Sequence, residues 1–326
     1  MTDVTCTGTV SLWSLGLDQH RPHSLHAPGR TYVESNCYAD VLIELLHARG
    51  DEPLAMLGSI ARTDWEGDQF TYAKPMGSDL ERLYGIDIHE MLPYRTLPEH
   101  IEEQLGGGRT VLMEIDGFYL PDTAATSYRR EHLKTTVAPE AIDRQGEWMR
   151  YFHNAGYYEL SGEDYRGAFR MLDQFTEDVM DPFTERVTFD AGPSLTGAAL
   201  RDEARALLIR HLARRPERNP FAAWAESLAA DLPRLLEGTA QNYHEYAFVT
   251  ARMVGSAFEL FADHVQWVLE GESAAAPAAF RRVVDGSKTI SFRLARRRPF
   301  DPDTALEAMI TAWDEGMAAL ADALAP

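Results

Sequence analysis

The chain has 326 residues, of which 45% are hydrophobic and 25% are charged, values that are ordinary for a folded protein of one large or two average domains. Its formal net charge of −20 disfavours binding that depends on neutralising phosphates, so neither nucleic acid nor an anionic membrane is an expected partner. The chain has no stretch of eighteen uninterrupted apolar residues, and we therefore expect no transmembrane helix.

The N-terminal residues and the number of cysteines bear on the location of the protein. Residues 1–10 lack the basic and apolar segments of a signal peptide, and the two cysteines can form at most one bridge. A disulfide scaffold is thereby excluded, and the sequence predicts a cytoplasmic protein.

The first half of the chain predicts a helix followed by an antiparallel sheet. Residues 36–47 carry apolar side chains at helical spacing, with Asn36 or Ser35 suited to the N-cap and Gly50 to the position after the end. Shorter helices are predicted over 78–84 and 97–105, and strands over 109–115, 132–138, 147–152 and 157–160.

The second half of the chain predicts helices alone. The pattern changes at Gly192-Pro193-Ser194, and helices are predicted over 200–214, 221–236, 239–269 and 304–324. The sequence thus predicts an α+β protein with two domains, 1–192 and 193–326, in which the helical domain covers or gates the cleft of the first.

Cys37 is the most informative residue, because it stands at the first turn of the predicted helix. The unpaired N–H groups and the macrodipole at a helix N-terminus favour a thiolate, which is the nucleophilic form of cysteine. The same N–H groups can hold the oxyanion of a tetrahedral intermediate. A small buried side chain is the alternative explanation of this cysteine.

A thiolate nucleophile needs a histidine base and a third group that orients the imidazole. His132 opens a predicted strand, and Asn154 follows the next one. A helix-borne cysteine, then a strand-borne histidine, then an asparagine is the order found in papain-like enzymes. Asp116 and Asp122 flank an aromatic loop with Tyr119 and are candidates for recognising a substrate amine.

Several segments resemble a bacterial family catalogued as domain of unknown function 1839, along most of the chain. They are NCYAD at 36–40, DWEGDQ at 64–69, DGFYLPDT at 116–123, YRREH at 128–132 and FHNAGYY at 152–158. More distantly, the order of cysteine helix, aromatic loop and histidine strand is similar to the N-terminal domain of butirosin-type acyltransferases. Those proteins have a papain-like layout and transfer an acyl group from a carrier-protein thioester to an amine.

The resemblance implies roles for particular residues. Cys37 would be the nucleophile, His132 the base and Asn154 the orienting group, although aspartate is commoner at that position. That departure leaves His153 and Asp116 as rivals for the orienting role. No glutamine shortly precedes Cys37, so the oxyanion would be bound by the Cys37 N–H with Asn36 or another donor.

A cysteine acyltransferase of this kind has defined partners. The donor would be an acyl or aminoacyl carrier protein bearing a phosphopantetheine thioester, and the acceptor a small-molecule amine. Clustered arginines at 205–218 and 293–298 could dock an acidic carrier protein. Neither a bound cofactor nor a metal is expected: the histidines at 20, 23 and 26 have no further ligands that complete a zinc shell.

Two alternatives remain open from the sequence. The same residues could serve a papain-like hydrolase, a peptidase, amidase or thioesterase, with water as the acceptor. The chain could also be a non-catalytic binding protein of a biosynthetic complex in which Cys37 is merely buried.

Overall fold

The computed structural model describes residues 8–175, 180–296 and 300–325. The chain forms two compact units, here called the sheet unit (1–24, 37–51 and 80–194) and the helical unit (25–36, 52–79 and 195–326). Cys6, Arg297 and Arg298 lie outside the described residues. Over the described ranges, every helix is too short or too polar to cross a bilayer.

The sheet unit is built on a seven-stranded antiparallel sheet. The strands are β1 (Val10–Ser11), β2 (Asp87–Glu90), β3 (Arg109–Asp116), β4 (Lys134–Asp143), β5 (Trp148–His153), β6 (Gly156–Ser161) and β7 (Thr184–Thr188). In the sheet, the neighbours in order are β2, β7, β3, β4, β5 and β6, and β1 pairs with the second half of β4.

The helices follow in chain order. They are α1 (Cys37–Arg49), α2 (Gly77–Tyr84), α3 (Leu97–Gly106), α4 (Gly162–Ala168), α5 (Gly197–Leu212), α6 (Pro220–Glu237), α7 (Ala240–Ala247), α8 (Met253–Leu269), α9 (Ala275–Ala295) and α10 (Asp303–Leu324). Short 3₁₀ helices occupy Ser24–His26, Pro53–Arg62, Gly117–Tyr119 and Pro121–Thr123. The mixed α+β class and the helical second half predicted from the sequence are therefore confirmed.

The register of β3 and β4 defines the two faces of the sheet. Glu114 lies opposite Thr136, and Met113 opposite Val137. Since successive side chains of a strand point to opposite faces, Thr136 and Val137 face different layers. Val137 belongs to the core beneath α3 and α4, whereas Thr136 contacts the first residue of α1.

Helix α1 is buried nearly all round, as its run of apolar residues requires. Val41, Leu42, Ile43 and Leu45 have no exposed area, and neither does Glu44. The Glu44 carboxylate accepts a bond from the His23 N–H at 3.0 Å and lies 2.7 Å from His20 Nε2. These contacts hold the segment around His20 and His23 against helix α1.

Several elements differ from the predictions. The strand predicted over 132–138 extends over Lys134–Asp143, so His132 precedes it. The helix predicted over 239–269 is interrupted by a π-helical turn, Phe248–Arg252, where the Thr250 hydroxyl donates to the Tyr246 carbonyl at 2.6 Å. Helix α9 was not predicted, because Pro277 interrupts its sequence pattern; proline is tolerated there in the first turn.

Candidate functional site

Cys37 is the first residue of α1 and is half buried. Its Sγ lies 3.5 Å from Thr136 Oγ1 on the face of the sheet that α1 covers. The thiol thus stands where the unpaired backbone N–H groups of a helix begin, close to the third residue of β4. The position predicted for this cysteine at the first turn of a helix is the one observed.

The residues before Cys37 are held within the helical unit. Arg252, in the π-helical turn, donates 2.9 Å hydrogen bonds to the carbonyls of Glu34 and Ser35. The Asn36 side-chain amide donates to the Ala73 carbonyl at 3.1 Å. Part of the donor capacity of Asn36, a predicted oxyanion donor, is thereby committed to the backbone.

His132 forms a dyad with Asp116. Its Nδ1 lies 2.6 Å from Asp116 Oδ2, while Asp116 Oδ1 accepts the Phe118 N–H at 3.0 Å. The imidazole stacks on the Phe118 ring with centroids 4.5 Å apart. Within the described residues, Nε2 has no hydrogen-bond partner, and 69% of the side chain is exposed. A carboxylate at Nδ1 fixes the tautomer that leaves Nε2 able to accept a proton.

The dyad borders a cleft of about 330 Å³ in the sheet unit. The Lys134 ammonium and the Glu114 carboxylate form a 2.7 Å ion pair on its wall. Tyr119 is buried, and its hydroxyl accepts a bond from Gln174 Nε2 at 2.7 Å. Desolvation, with the nearby Asp116 charge, raises the pKa of Tyr119, so the phenol stays protonated. Ile115, Ala168 and Phe175 add apolar surface, and a cleft of this size suits a small substrate.

The strand register relates the dyad to Cys37. Asp116 lies opposite Lys134, two residues along β3 from the Glu114–Thr136 pair that Cys37 approaches. Two residues of a strand span about 7 Å. Thr136, which Cys37 contacts, and Asp116 therefore lie toward the same end of the β3–β4 pair, one repeat of the pleat apart.

Asn154, predicted as the orienting residue, is the first residue of the two-residue turn between β5 and β6. Its φ of 47° is the left-handed conformation that such turns require and that asparagine tolerates. The partner observed at His132 Nδ1 is instead Asp116, the residue considered as a rival for that role.

His153 belongs to a separate buried network. It lies opposite Val137 and therefore on the face of the sheet away from Cys37. Its Nδ1 is 2.5 Å from Asp122 Oδ2, and its Nε2 is 2.7 Å from Thr135 Oγ1. The Tyr151 hydroxyl donates to the other Asp122 oxygen. This chain of bonds fixes the loop after Asp116 against the sheet.

Thr136 and the Glu114–Lys134 pair were not among the predicted site residues. Strand alternation places residues 134 and 136 on one face, and that signal was present in the sequence. How far along β4 the N-terminus of α1 lies is a matter of tertiary packing. Among the described residues, no group of three or more histidine, cysteine, aspartate or glutamate side chains is arranged to hold a metal ion.

Comparison with protein-family models gives two adjacent matches. A model described as the DUF1839 N-terminal domain matches residues 21–189, and one described as the DUF1839 C-terminal domain matches residues 197–322. Together they span most of the chain. No curated protein matches it.

Proposed function

The chain belongs to the DUF1839 family, and we propose that it is a cysteine-dependent acyltransferase with a papain-like sheet unit. The observation that carries the proposal is a half-buried thiol at the first residue of α1 that contacts Thr136. Thr136 lies two residues along β4 from Lys134, which lines the cleft together with the His132–Asp116 dyad. A nucleophile, a base and a group that orients the base are the parts that covalent acyl transfer requires.

In the first step, the Cys37 thiolate adds to the carbonyl carbon of a thioester. The tetrahedral oxyanion is bound by backbone N–H groups at the start of α1. The carbon–sulfur bond to the donor then breaks, and protonated His132 gives its proton to the departing thiolate. The products of this step are acyl-Cys37 and the free thiol of the carrier arm.

In the second step, an amine adds to the acyl-Cys37 carbonyl. His132 Nε2 takes the amine proton, and Asp116 stabilises the imidazolium that forms. Collapse of the intermediate breaks the bond to Cys37 Sγ and releases an amide and the Cys37 thiolate. A thioester donor supplies the free energy, so the scheme balances without a nucleotide or an oxidant.

The proposal requires His132 to approach Cys37 during the reaction. Asp116, which binds His132, lies two residues along β3 from Glu114, the residue opposite Thr136, and two residues of a strand span about 7 Å. His132 precedes β4 in a segment that forms no strand, and its side chain is largely exposed. The scheme requires a movement of this segment that brings the imidazole toward Thr136 while its bond to Asp116 is kept.

A carrier protein is the proposed donor, and the arginines of the helical unit are its proposed docking surface. Arg205 and Arg218 are already paired with Glu272 and Glu226. Arg210 has no ion-pair partner among the described residues and is exposed. Docking of an acidic carrier would therefore depend on the unpaired guanidinium groups.

Hydrolysis is the second candidate, and the exposure of His132 favours it. Transfer to an amine requires that water be kept from the acyl-enzyme. An imidazole with 69% of its side chain exposed can instead activate water as the acceptor. The intermediate would be the same in both reactions, and only the second step would differ.

Product analysis separates the two reactions. The full chain is incubated with an acyl N-acetylcysteamine thioester, with and without a panel of small primary amines, and the products are quantified by mass spectrometry. Cys37→Ala and His132→Ala should each lower thioester consumption by at least about 100-fold, as loss of nucleophile or base does.

The matched control for His132→Ala is His89→Ala. His89 is also an exposed histidine of the sheet unit, 65% exposed and 2.8 Å from the Asp87 carboxylate, and it should leave the rate unchanged. Amide formation that depends on Cys37 supports transfer, whereas release of free acid at one rate with and without amines supports the hydrolase. Unchanged consumption by Cys37→Ala would exclude both.

A further inference from the structure

The helical unit contains a second cavity, of about 410 Å³. Three cationic side chains from separate segments line it: Arg62 at the end of a 3₁₀ helix, Lys74 in the loop before α2, and Arg214 just after α5. Its volume lies in the range of small-molecule sites. Of its lining residues, Arg214 falls in the arginine cluster proposed for carrier docking, and the proposed acyl transfer gives the cavity itself no role.

Arg62 is partly buried and lacks a strong acceptor. Its Nη1 lies 3.2 Å from the Met76 sulfur, and a thioether is a weak acceptor. Among the described residues, no carboxylate forms an ion pair with this guanidinium. Partial burial of a cation without an anionic partner is unfavourable, and an anion entering the cavity would relieve that cost.

Arg214 is exposed, and its guanidinium has no hydrogen-bond or ion-pair partner among the described residues. Its backbone N–H is bound to the His211 carbonyl at 2.9 Å, which fixes the start of the side chain at the rim of the cavity. The two arginines therefore offer N–H donors to one cavity from two separate elements.

Two carboxylates also line the cavity, and both are held by local donors. Asp64 Oδ1 accepts the Trp65 N–H at 2.8 Å, and Glu66 Oε1 accepts the Thr71 hydroxyl at 2.7 Å. The cations outnumber them by three to two. The lining is thus net positive within a chain whose formal charge is −20, which makes this cavity a local exception to the overall field.

We infer that this cavity binds the phosphate group of a small phosphate monoester. A phosphate carries up to two charges and three acceptor oxygens, which arginines approaching from separate directions can share. A carboxylate has two oxygens, and one arginine can satisfy both. Tyr72, 49% exposed on the same lining, provides an aromatic surface for the organic part of the ligand.

The test is calorimetric titration of the full chain with inorganic phosphate, phenyl phosphate and phenylacetate, at an ionic strength fixed with sodium chloride. We expect saturable binding of phenyl phosphate, weaker binding of phosphate and none of phenylacetate. Arg62→Gln and Arg214→Gln should each weaken phenyl phosphate about tenfold or more, the effect of losing one charge-assisted hydrogen bond. Tyr72→Ala should weaken phenyl phosphate but not inorganic phosphate.

Arg293→Gln is the matched control, because Arg293 is an exposed arginine of α9 with no ion-pair partner among the described residues; it should change nothing. Arg214→Gln alters an exposed side chain and keeps the test valid if Arg62→Gln fails to fold. Equal binding of phenylacetate, equal affinity in all arginine variants, or no saturation by either phosphate would overturn the inference.

Discussion

Acid should destabilise the protein through His264, a fully buried residue of α8. Its Nδ1 lies 2.7 Å from the Leu54 carbonyl, and its Nε2 is buried without a hydrogen-bond partner among the described residues. Desolvation lowers the pKa of His264 from 6.5 to about 4, although the Leu54 carbonyl and the Asp79 charge oppose the shift. The folded protein therefore keeps this imidazole neutral.

The sign of the effect follows from proton binding. Between pH 6.5 and about 4, the unfolded chain binds a proton at this residue and the folded chain does not. The contribution of His264 to stability is therefore present above pH 6.5 and is lost as the pH falls toward 4. Each pH unit across this window is worth about 1.4 kcal/mol, so lowering the pH from 7 to 5 costs about 2 kcal/mol from this group alone.

Urea unfolding followed by circular dichroism at pH 7 and pH 5 measures the effect. His264→Gln cannot be protonated and keeps an N–H donor for the Leu54 carbonyl. Its loss of stability between the two pH values should be about 2 kcal/mol smaller than that of the wild type. His244→Gln, at an exposed histidine of α7, should retain the wild-type pH dependence. Equal pH dependence in His264→Gln and the wild type would refute the reasoning.

Two further predictions concern the sheet unit. Gly167→Ala should lower the free energy of unfolding by about 1–3 kcal/mol, because the added Cβ would meet the Tyr119 ring at 2.1 Å. The control is Gly77→Ala, where nothing lies within 4 Å of the added Cβ. Equal urea midpoints for the two variants would contradict this prediction. Glu140→Ala should cost about 1–3 kcal/mol, since the Tyr157 hydroxyl loses its 2.6 Å acceptor and retains only the Leu15 carbonyl at 3.2 Å. Hydrogen exchange should accelerate at Trp13 and Leu15, whose backbone N–H groups the same carboxylate binds, and unchanged exchange there would argue against it.

The strongly periodic elements of the fold could be predicted from the sequence. Helix α1 and strands β3, β5 and β6 have continuous or alternating apolar patterns, and their predicted ranges differ from the observed ones by one or two residues. Strand β2 (Asp87–Glu90) could not be predicted, because it is short, partly exposed and mostly polar. Its position is determined by pairing with β7 rather than by its own pattern.

The candidate site was likewise predictable only in part from the sequence. The position of Cys37 at a helix start depends on local signals, and the sequence contained them. The Asp116–His132 bond joins residues sixteen apart, and Asp116 was one of several rivals for the orienting role. Choosing among them required the β3–β4 register, which brings Asp116 opposite Lys134. The turn conformation of Asn154 also depends on the hairpin as a whole.

The two compact units are not continuous segments of the chain. Residues 25–36 and 52–79 lie in the first half of the sequence but belong to the helical unit. Contacts such as the Arg30–Asp263 ion pair connect positions 233 residues apart. A change of pattern along the chain locates a boundary in sequence, whereas long-range contacts of this kind decide which unit a segment joins.

The most direct test of acyl transfer is the intact-protein mass of the wild type after brief mixing with an acyl N-acetylcysteamine thioester. The account predicts an added mass equal to one acyl group, which maps to the peptide containing Cys37, is absent from Cys37→Ala and disappears when an amine acceptor is added. A wild-type mass that stays unchanged with every thioester, together with a Cys37 thiol that resists alkylation in the native protein, would contradict the account.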